Sequence, residues 1–237
     1  HNYLSKSAVS LHSDMEVIGN ESIDHQYIVV DPIEKLDVLL HFLNSQEGGR
    51  GIIFCKTKAA VNKLAKNLAI RKISSGALHG SLTQGIRDRI MEQFREGYID
   101  ILVATDLVAR GIDVKELAYV VNYHLPDTHE AYVHRSGRTG RAGAKGLSMT
   151  IIQQEEVKEI ADFEKELGIH FKPIKKANAE AIEWNNTLVW AKKVFKTKPN
   201  REIPEEVKQQ VKTIFHHLTK EELVDKVLSN YLAENNK

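Results

Sequence analysis

The chain has 237 residues, 42% of them hydrophobic and 27% charged, with a formal net charge of +1. That length and apolar content allow one or two domains with ordinary buried cores and exclude a disordered polymer. The near-neutral balance excludes a strongly basic coat, so any nucleic-acid contact must come from basic groups placed locally.

The first residues, His1-Asn2-Tyr3-Leu4-Ser5-Lys6, carry no initiator Met and no signal-peptide stretch, which reads as a piece cut from a longer protein. No run approaches 18 apolar residues, so none reads as a membrane span. From about residue 23 to 174, short β-rich runs alternate with longer amphipathic ones. The expected strands are Ile28-Val29-Val30, Gly51 to Cys55, Ala77-Leu78-His79, Ile101 to Ala104, Tyr119 to Asn122 and Leu147 to Ile152. Several are continuous apolar runs, as for strands covered on both faces of a parallel sheet. Helical patterns such as Lys58 to Ala69 and Arg87 to Arg95 lie between them. The alternation predicts a doubly wound α/β sheet whose ligands gather outside the carboxyl ends of its strands.

Ser81 to Gln84 and Asp127 to Glu130 read as capping boxes that open helices. Cys55, the only cysteine, sits in the run Ile52-Ile53-Phe54-Cys55 and is expected to be a core thiol, which fits a reducing cytoplasm. Around Pro173, Lys172, Lys175 and Lys176 form a basic hinge, and no strand signal follows it. Ala181, Trp184, Leu188, Ala191 and Phe195 recur at spacings of three and four, which places them on one helical seam. A break at Pro199-Asn200 precedes a helix that starts near Pro204, with Val207, Val211, Ile214 and Leu218 in register. Thr219-Lys220-Glu221-Glu222 opens a last helix, with Leu223, Val227, Leu228 and Tyr231 on one side.

The most informative stretch is His134-Arg135-Ser136-Gly137-Arg138-Thr139-Gly140-Arg141-Ala142-Gly143. Its three evenly spaced glycines permit backbone angles closed to other residues. Arg138 and Arg141 project from that loop as always-charged forks that match phosphate oxygens. A second stretch, Ala104-Thr105-Asp106-Leu107-Val108-Ala109-Arg110-Gly111-Ile112-Asp113, begins where a strand ends. Two more pieces lie upstream: Phe54-Cys55-Lys56-Thr57-Lys58, and Leu78-His79-Gly80-Ser81-Leu82-Thr83-Gln84-Gly85-Ile86-Arg87. Taken singly, Thr105-Asp106 reads as a helix cap, Gln84 as part of a capping box and Arg87 as a surface charge.

In series these four stretches resemble motifs IV, V and VI and the Gln-x-x-Arg element of DEAD-box RNA helicases, in that family's order. Lys58 stands where many members carry Arg. The resemblance covers roughly residues 23–174 and implies a C-terminal RecA-like lobe, with 1–22 left from the interlobe segment. It implies that Arg138 and Arg141 act as arginine fingers on the γ-phosphate of ATP, that Gly111 and Asp113 face the nucleotide, and that His134 contacts the other lobe. Thr57, Lys58, Gly80, Gln84, Arg87, Thr105 and Asp106 fall at positions resembling RNA-backbone contacts. Hydroxyls, amides beside glycine and cations suit phosphate and sugar without reading bases.

The chain has no Gly-x-x-x-x-Gly-Lys-Ser/Thr loop and no Asp-Glu-Ala-Asp, which in the family hold phosphates and Mg²⁺ on the first lobe. The expectation is therefore an RNA-dependent ATPase only when both lobes are present. Eleven histidines match no zinc spacing, so no metal site is expected. Residues 177–237 read as a helical module with three readings left open: a private core, a homodimerisation surface like that of some bacterial DEAD-box helicases, or extra RNA binding by its lysines.

Overall fold

The computed structural model describes residues 22–46, 48–109, 117–140, 144–175, 179–200 and 202–235. Its strands are β1 (Ile23–Val29), β2 (Gly51–Phe54), β3 (Ser75–Leu78), β4 (Ile101–Ala104), β5 (Tyr119–Asn122), β6 (Gly146–Ile152) and β7 (Lys172–Pro173). The helices are α1 (Lys35–Ser45), α2 (Lys58–Ile70), α3 (Gln84–Arg95), α4 (Asp106–Ala109), α5 (His129–Ser136), α6 (Val157–Leu167), α7 (Ala179–Lys196), α8 (Glu205–Phe215) and α9 (Lys220–Asn235). By contact the chain divides into two compact units. One runs to Lys176 without His41–Ser45, and the other takes those five residues together with Ala177–Lys237.

The first unit is built on one parallel sheet in the order β3-β4-β2-β5-β6-β1-β7. Strands β2, β4 and β5 are buried at every position, as their unbroken apolar runs require. β2 has β4 on one side and β5 on the other; the chain goes from β2 toward β3 and from β5 toward β6 in the opposite direction, so the topological switch point lies between β2 and β5. Ile52, Phe54, Leu78, Phe94 and Leu102 form one core cluster with α3. Tyr132, Ile152, Ile160, Phe163 and Phe171 form another with α5 and α6.

Three strands differ from the sequence reading by more than one residue: β3, which starts at Ser75 and not at Ala77, together with β1 and β7. β1 starts at Ile23, five residues before the apolar run begins, because its inward positions include the polar but buried His25. β7 falls on the supposed hinge. Lys172 and Pro173 pair with Gln26 and Tyr27 of β1, and Ile174 N donates to Tyr27 O at 2.8 Å. Proline has no N–H to give, and this is the edge position where a strand tolerates it.

Helix starts shift by one or two residues. α3 is capped at Thr83, with no side-chain cap bond, and not at Ser81. α5 is capped by Thr128, whose hydroxyl accepts from Ala131 N at 3.1 Å. Asp127 is thereby left to pair with Lys56 and Glu130 with His134. Neither expected capping box forms. A reciprocal one does form at α9, where Glu222 N donates to Thr219 Oγ1 (3.2 Å) and Thr219 N to Glu222 Oε2 (2.8 Å). Those bonds to the charged form hold the Glu222 carboxyl below its usual range.

In the second unit Trp190 of α7 stacks on Tyr231 of α9, with ring centroids 4.3 Å apart. The buried face of α7 runs through Thr187, whereas Leu188 and Phe195 of the expected seam are 62% and 90% exposed. Ala191 is half-buried, and the side chains of Ala181 and Trp184 lie outside the described residues. Within the unit α7 thus buries the side through Thr187 and leaves Leu188 and Phe195 of the seam outward. Nothing on α8 is buried, and Val207, Val211 and Ile214 are exposed.

Cys55 is fully buried, and burial pushes its thiol up to about 12. It should resist a thiol reagent at pH 8 in the native protein and react once the chain is unfolded in urea; fast labelling of folded protein would contradict the burial. Tyr132 is also fully buried, its hydroxyl 2.6 Å from His25 Nδ1 and 3.1 Å from Ser148 Oγ. Tyr132→Phe removes one partner from each of those two groups and should cost about 1–3 kcal/mol in urea unfolding, with the m-value unchanged.

Candidate functional site

The parallel register sets Phe54, Leu78, Ala104 and Asn122 in one row across β2, β3, β4 and β5. The ladder runs one step further. Cys55 N donates to Ala104 O (2.9 Å), Thr105 N to Leu78 O (3.3 Å) and Tyr123 N to Phe54 O (3.0 Å). Lys56-Thr57, His79-Gly80, Thr105-Asp106 and His124 therefore emerge together at the carboxyl rim.

Each rim residue is placed by a local rule. Thr57 caps α2, accepting from Ala60 N at 3.1 Å, which leaves its O–H proton to donate outward. Lys58 is exposed at the first position of α2, beside the positive end of that helix. Gly80 is exposed, and a β-carbon there would meet only Leu107, at 3.4 Å. Gln84 and Arg87 occupy the first turn of α3. Arg87 Nη1 donates to Gln84 Oε1 (3.1 Å), and Gln84 Nε2 donates to Asp88 Oδ1 (2.7 Å). Thr105 is half-buried between β4 and α4.

Asp106 has other business. Arg135 Nε donates to its Oδ1 at 2.6 Å and Arg135 Nη2 to its Oδ2 at 2.7 Å, a fork on a carboxylate. Arg135 Nη1 also donates to Asn122 Oδ1 (3.0 Å) and His124 O (2.9 Å), and the guanidinium lies 5.1 Å from the Phe54 ring centroid. Asp106, expected among the backbone contacts, thus gives both oxygens to a buried cation. An anion is in any case a poor neighbour for phosphate. Arg135 itself was passed over in the sequence, although a signal was present: it lies three residues after Tyr132, on the inward face of the same helix.

The glycine-rich arginine turn lies at the other end of the sheet. Leu117 N donates to Arg138 O at 3.3 Å, Leu117 bridges Thr139, and β5 begins two residues later. Thr139 Oγ1 also donates to Leu117 O. Gly140 abuts Ser22 and Ile23, where β1 starts, and a β-carbon on Gly146 at the start of β6 would sit 2.3 Å from Gly140 N. Arg138 is therefore on the amino edge, and not at the carboxyl rim where the sequence reading put the ligand-bearing residues. In a parallel sheet each strand must be followed by a return crossover. Helix α5 makes one such return, carrying the chain from His124 down to the turn. Of the glycines read as permissive, Gly140 adopts the left-handed region (φ +68°), while Gly137 caps α5 at φ −65°. His134, on α5, pairs with Glu130 at 3.3 Å. Gly111, Asp113 and Arg141 lie outside the described residues. Among the described residues no group of three or more His, Cys, Asp or Glu is placed to hold a metal ion.

The family described as helicase conserved C-terminal domain matches residues 34–143, and the one described as probable ATP-dependent RNA helicase, helical domain, matches residues 182–234. The C-terminal domain of the DEAD-box protein Dbp5 superposes with a TM-score of 0.61 at 33% identity, over 65% of this chain and 91% of that one. The chain belongs to the DEAD-box RNA helicase family. It is a C-terminal lobe of that family with a helical extension. S. cerevisiae Dbp5 bound to RNA and ADP BeF3 is similar at 31% identity and a TM-score of 0.64, over 77% of this chain and 48% of that one. DEAD-box ATP-dependent RNA helicase 46 of Arabidopsis thaliana is 47% identical over 148 residues, which is 62% of this chain and 23% of that protein. The chain spans 19–25% of the length of the plant relatives it matches.

The contact between the arginine turn and β6 exists because residue 146 has no side chain. Gly146→Ala should lift the turn from the sheet and cost about 1–3 kcal/mol, as overpacking does. Denaturant unfolding checks this, and wild-type stability would mean the turn is not seated there.

Proposed function

We propose that this DEAD-box lobe works as half of an ATP-dependent RNA helicase, offering RNA one end of its sheet and nucleotide the other. The observation that carries this reading is the separation itself: an uncharged and cationic rim of Thr57, Lys58, Gly80, Gln84, Arg87 and Thr105 at the carboxyl ends, and Arg138 at the amino edge. Four-residue strands keep the two about 13 Å apart or more.

At the rim, the Thr57 hydroxyl, the α2 amino end and the Lys58 and Arg87 cations bind successive phosphates. Gly80 admits the backbone closely because nothing projects from it. None of these groups reads a base edge, so the grip is independent of sequence. At the amino edge, the nucleotide supplies the phosphoryl group and is held chiefly by the first lobe, together with Mg²⁺. Arg138 fits a polyphosphate: its amide donates to Arg135 O (3.1 Å), its carbonyl accepts from Leu117, and Gly140 keeps the turn tight. With Arg141 it neutralises charge that builds on the transferring oxygens, Asp113 serves the ribose and Gly111 the nucleotide, and His134 meets the other lobe. Lobe closure brings both ends into use together and opens short duplexes locally, so the lobe by itself neither hydrolyses ATP nor unwinds RNA. That Dbp5 has been captured with RNA and ADP BeF3 supports the same pair of ligands here.

In the full-length enzyme, Arg138→Ala should lower RNA-stimulated ATP turnover by about 10³-fold with an unchanged melting temperature. Normal turnover would refute the assignment. Arg87→Ala should weaken single-stranded RNA binding for all sequences alike and flatten the log–log salt slope by about 0.7. A sequence-selective loss would point to base reading instead.

The helical unit supports a second reading, self-association with another copy of the chain, because Leu188, Phe195, Val207, Val211 and Ile214 all present apolar surface outward. Sedimentation should give a dimer mass for the wild type and a monomer mass for Phe195→Glu combined with Ile214→Glu. A monomeric wild type removes the reading.

A further inference from the structure

The RNA rim is built on the ends of β3, β4 and β2. The next strand, β5, ends at Tyr123 and His124, and the topological switch point lies between it and β2. The loops that follow these two strands part there, which is where a doubly wound sheet opens a ligand crevice. Neither the RNA rim nor the arginine turn uses it.

Three cations converge on the end of β5. Lys35, at the start of α1, reaches Tyr123 O at 3.5 Å and Ile151 O at 3.3 Å through its ammonium, and Arg135 Nη1 donates to His124 O at 2.9 Å. Lys56 spans the crevice: its amide donates to His124 Nδ1 (3.5 Å), and its ammonium pairs with Asp127 Oδ1 (2.6 Å). Lys35 is 5% exposed, and both of its hydrogen bonds are long ones to carbonyls. A charge so buried is ordinarily paired with a carboxylate. Glu156 favours the charged form here, but burial is the larger influence and pulls the Lys35 ammonium below its usual range. The crevice therefore has a positive floor between low-dielectric walls, which focuses its field outward.

His124 is kept neutral by the same surroundings. Burial and then Lys35 push its imidazole below the usual range; Glu156 works the other way, and Arg135 and Lys56 add to the lowering. With Nδ1 accepting from Lys56 N, the neutral ring carries its proton on Nε2 and donates it outward. A mobile cation and a neutral donor above a positive floor suit one phosphate group. The source of that phosphate is set by position. Thr57 follows Lys56 in the chain, and the end of β5 lies one strand spacing, about 4.8 Å, beyond that of β2 on the same rim. The Lys56–Asp127 pair does not close the site: its side chains are 58% and 70% exposed, and a surface pair of that kind is readily exchanged.

We propose that Lys56 and His124 form a further phosphate subsite, which carries the RNA groove from β2 across the switch point to β5, with Asp127 as the competitor that a phosphate displaces. The proposal rests on the functional reading above, in which Thr57 and Lys58 meet the RNA backbone.

The test uses the full-length enzyme with a non-hydrolysable ATP analogue, titrated with single-stranded RNA over a range of salt. Lys56→Ala should weaken binding about fivefold and flatten the log–log salt slope by about 0.7, the share of one phosphate. His124→Ala should weaken binding about threefold and leave the slope alone, because the ring carries no charge. Asp127→Asn has the opposite sign. It should tighten binding about threefold, since Lys56 no longer has a partner to leave. Lys56 and Asp127 are exposed, so neither change reaches the core. Lengthening a short oligonucleotide one nucleotide at a time should raise wild-type affinity for one step more than it raises that of Lys56→Ala.

A Lys56→Ala enzyme with the wild-type slope and site size overturns the subsite, and so does an Asp127→Asn enzyme that binds RNA no more tightly. A Lys56→Ala loss that is the same at every RNA length overturns it as well, because it places the lysine against the other lobe and not against a nucleotide. Arg87→Ala separates the two levels of inference. If that variant also binds RNA normally, the reading of the whole rim has failed. If it weakens binding while Lys56→Ala does not, only the extension to β5 has failed.

Discussion

A parallel sheet cannot turn tightly from one strand to the next. Each strand ends at the carboxyl rim, its neighbour begins at the amino edge, and the chain must travel the length of the sheet in between. In this lobe that constraint sets the layout. The segment after β4 leaves the rim at Thr105 and comes back into the sheet at Leu117, and α5 leaves the rim near His124 and delivers Arg138 to the amino edge. Two short segments thereby each touch both ends of the domain.

Burial makes this layout rigid. The centre of the sheet is apolar, but the faces under α5 hold polar groups that satisfy one another. Tyr132 reaches His25 and Ser148, Ser148 reaches Ser136, and Asn122 bridges Thr150 and Arg135. Such a network costs desolvation and returns orientation, since each member has few geometries in which its neighbours stay satisfied. Helix α5 is eight residues long and would be marginal in isolation. Seated on that network, it holds the arginine turn in place. The missing side chain at Gly146 and the left-handed Gly140 let the turn approach β6.

The helical unit follows a looser logic. One aromatic stack, Trp190 on Tyr231, orients α7 and α9, and α8 keeps its apolar positions outward. A small helical module buries little by itself, so apolar residues facing water are what such a module has to offer a partner.

The sequence by itself determined the architecture and the inventory of the site. Unbroken apolar runs between helical periods leave a doubly wound parallel sheet as the arrangement that buries them, and Thr57, Gly80, Gln84, Arg87, Thr105 and Arg138 stand out because glycine, hydroxyl and guanidinium at strand ends are legible without coordinates. Tertiary structure decided which of them share a place. One-dimensional spacing does not tell which end of a sheet a loop occupies, so Arg138 and Thr105 read as neighbours and fold to opposite edges. Nor does it tell which charges find each other at long range: Asp106 and Arg135, 29 residues apart in sequence, become an ion pair only when the ends of β4 and β5 are set on either side of β2. The face that α7 buries was undetermined for the same reason, since a helical period gives the spacing of a stripe, and the neighbour packed against it selects the side.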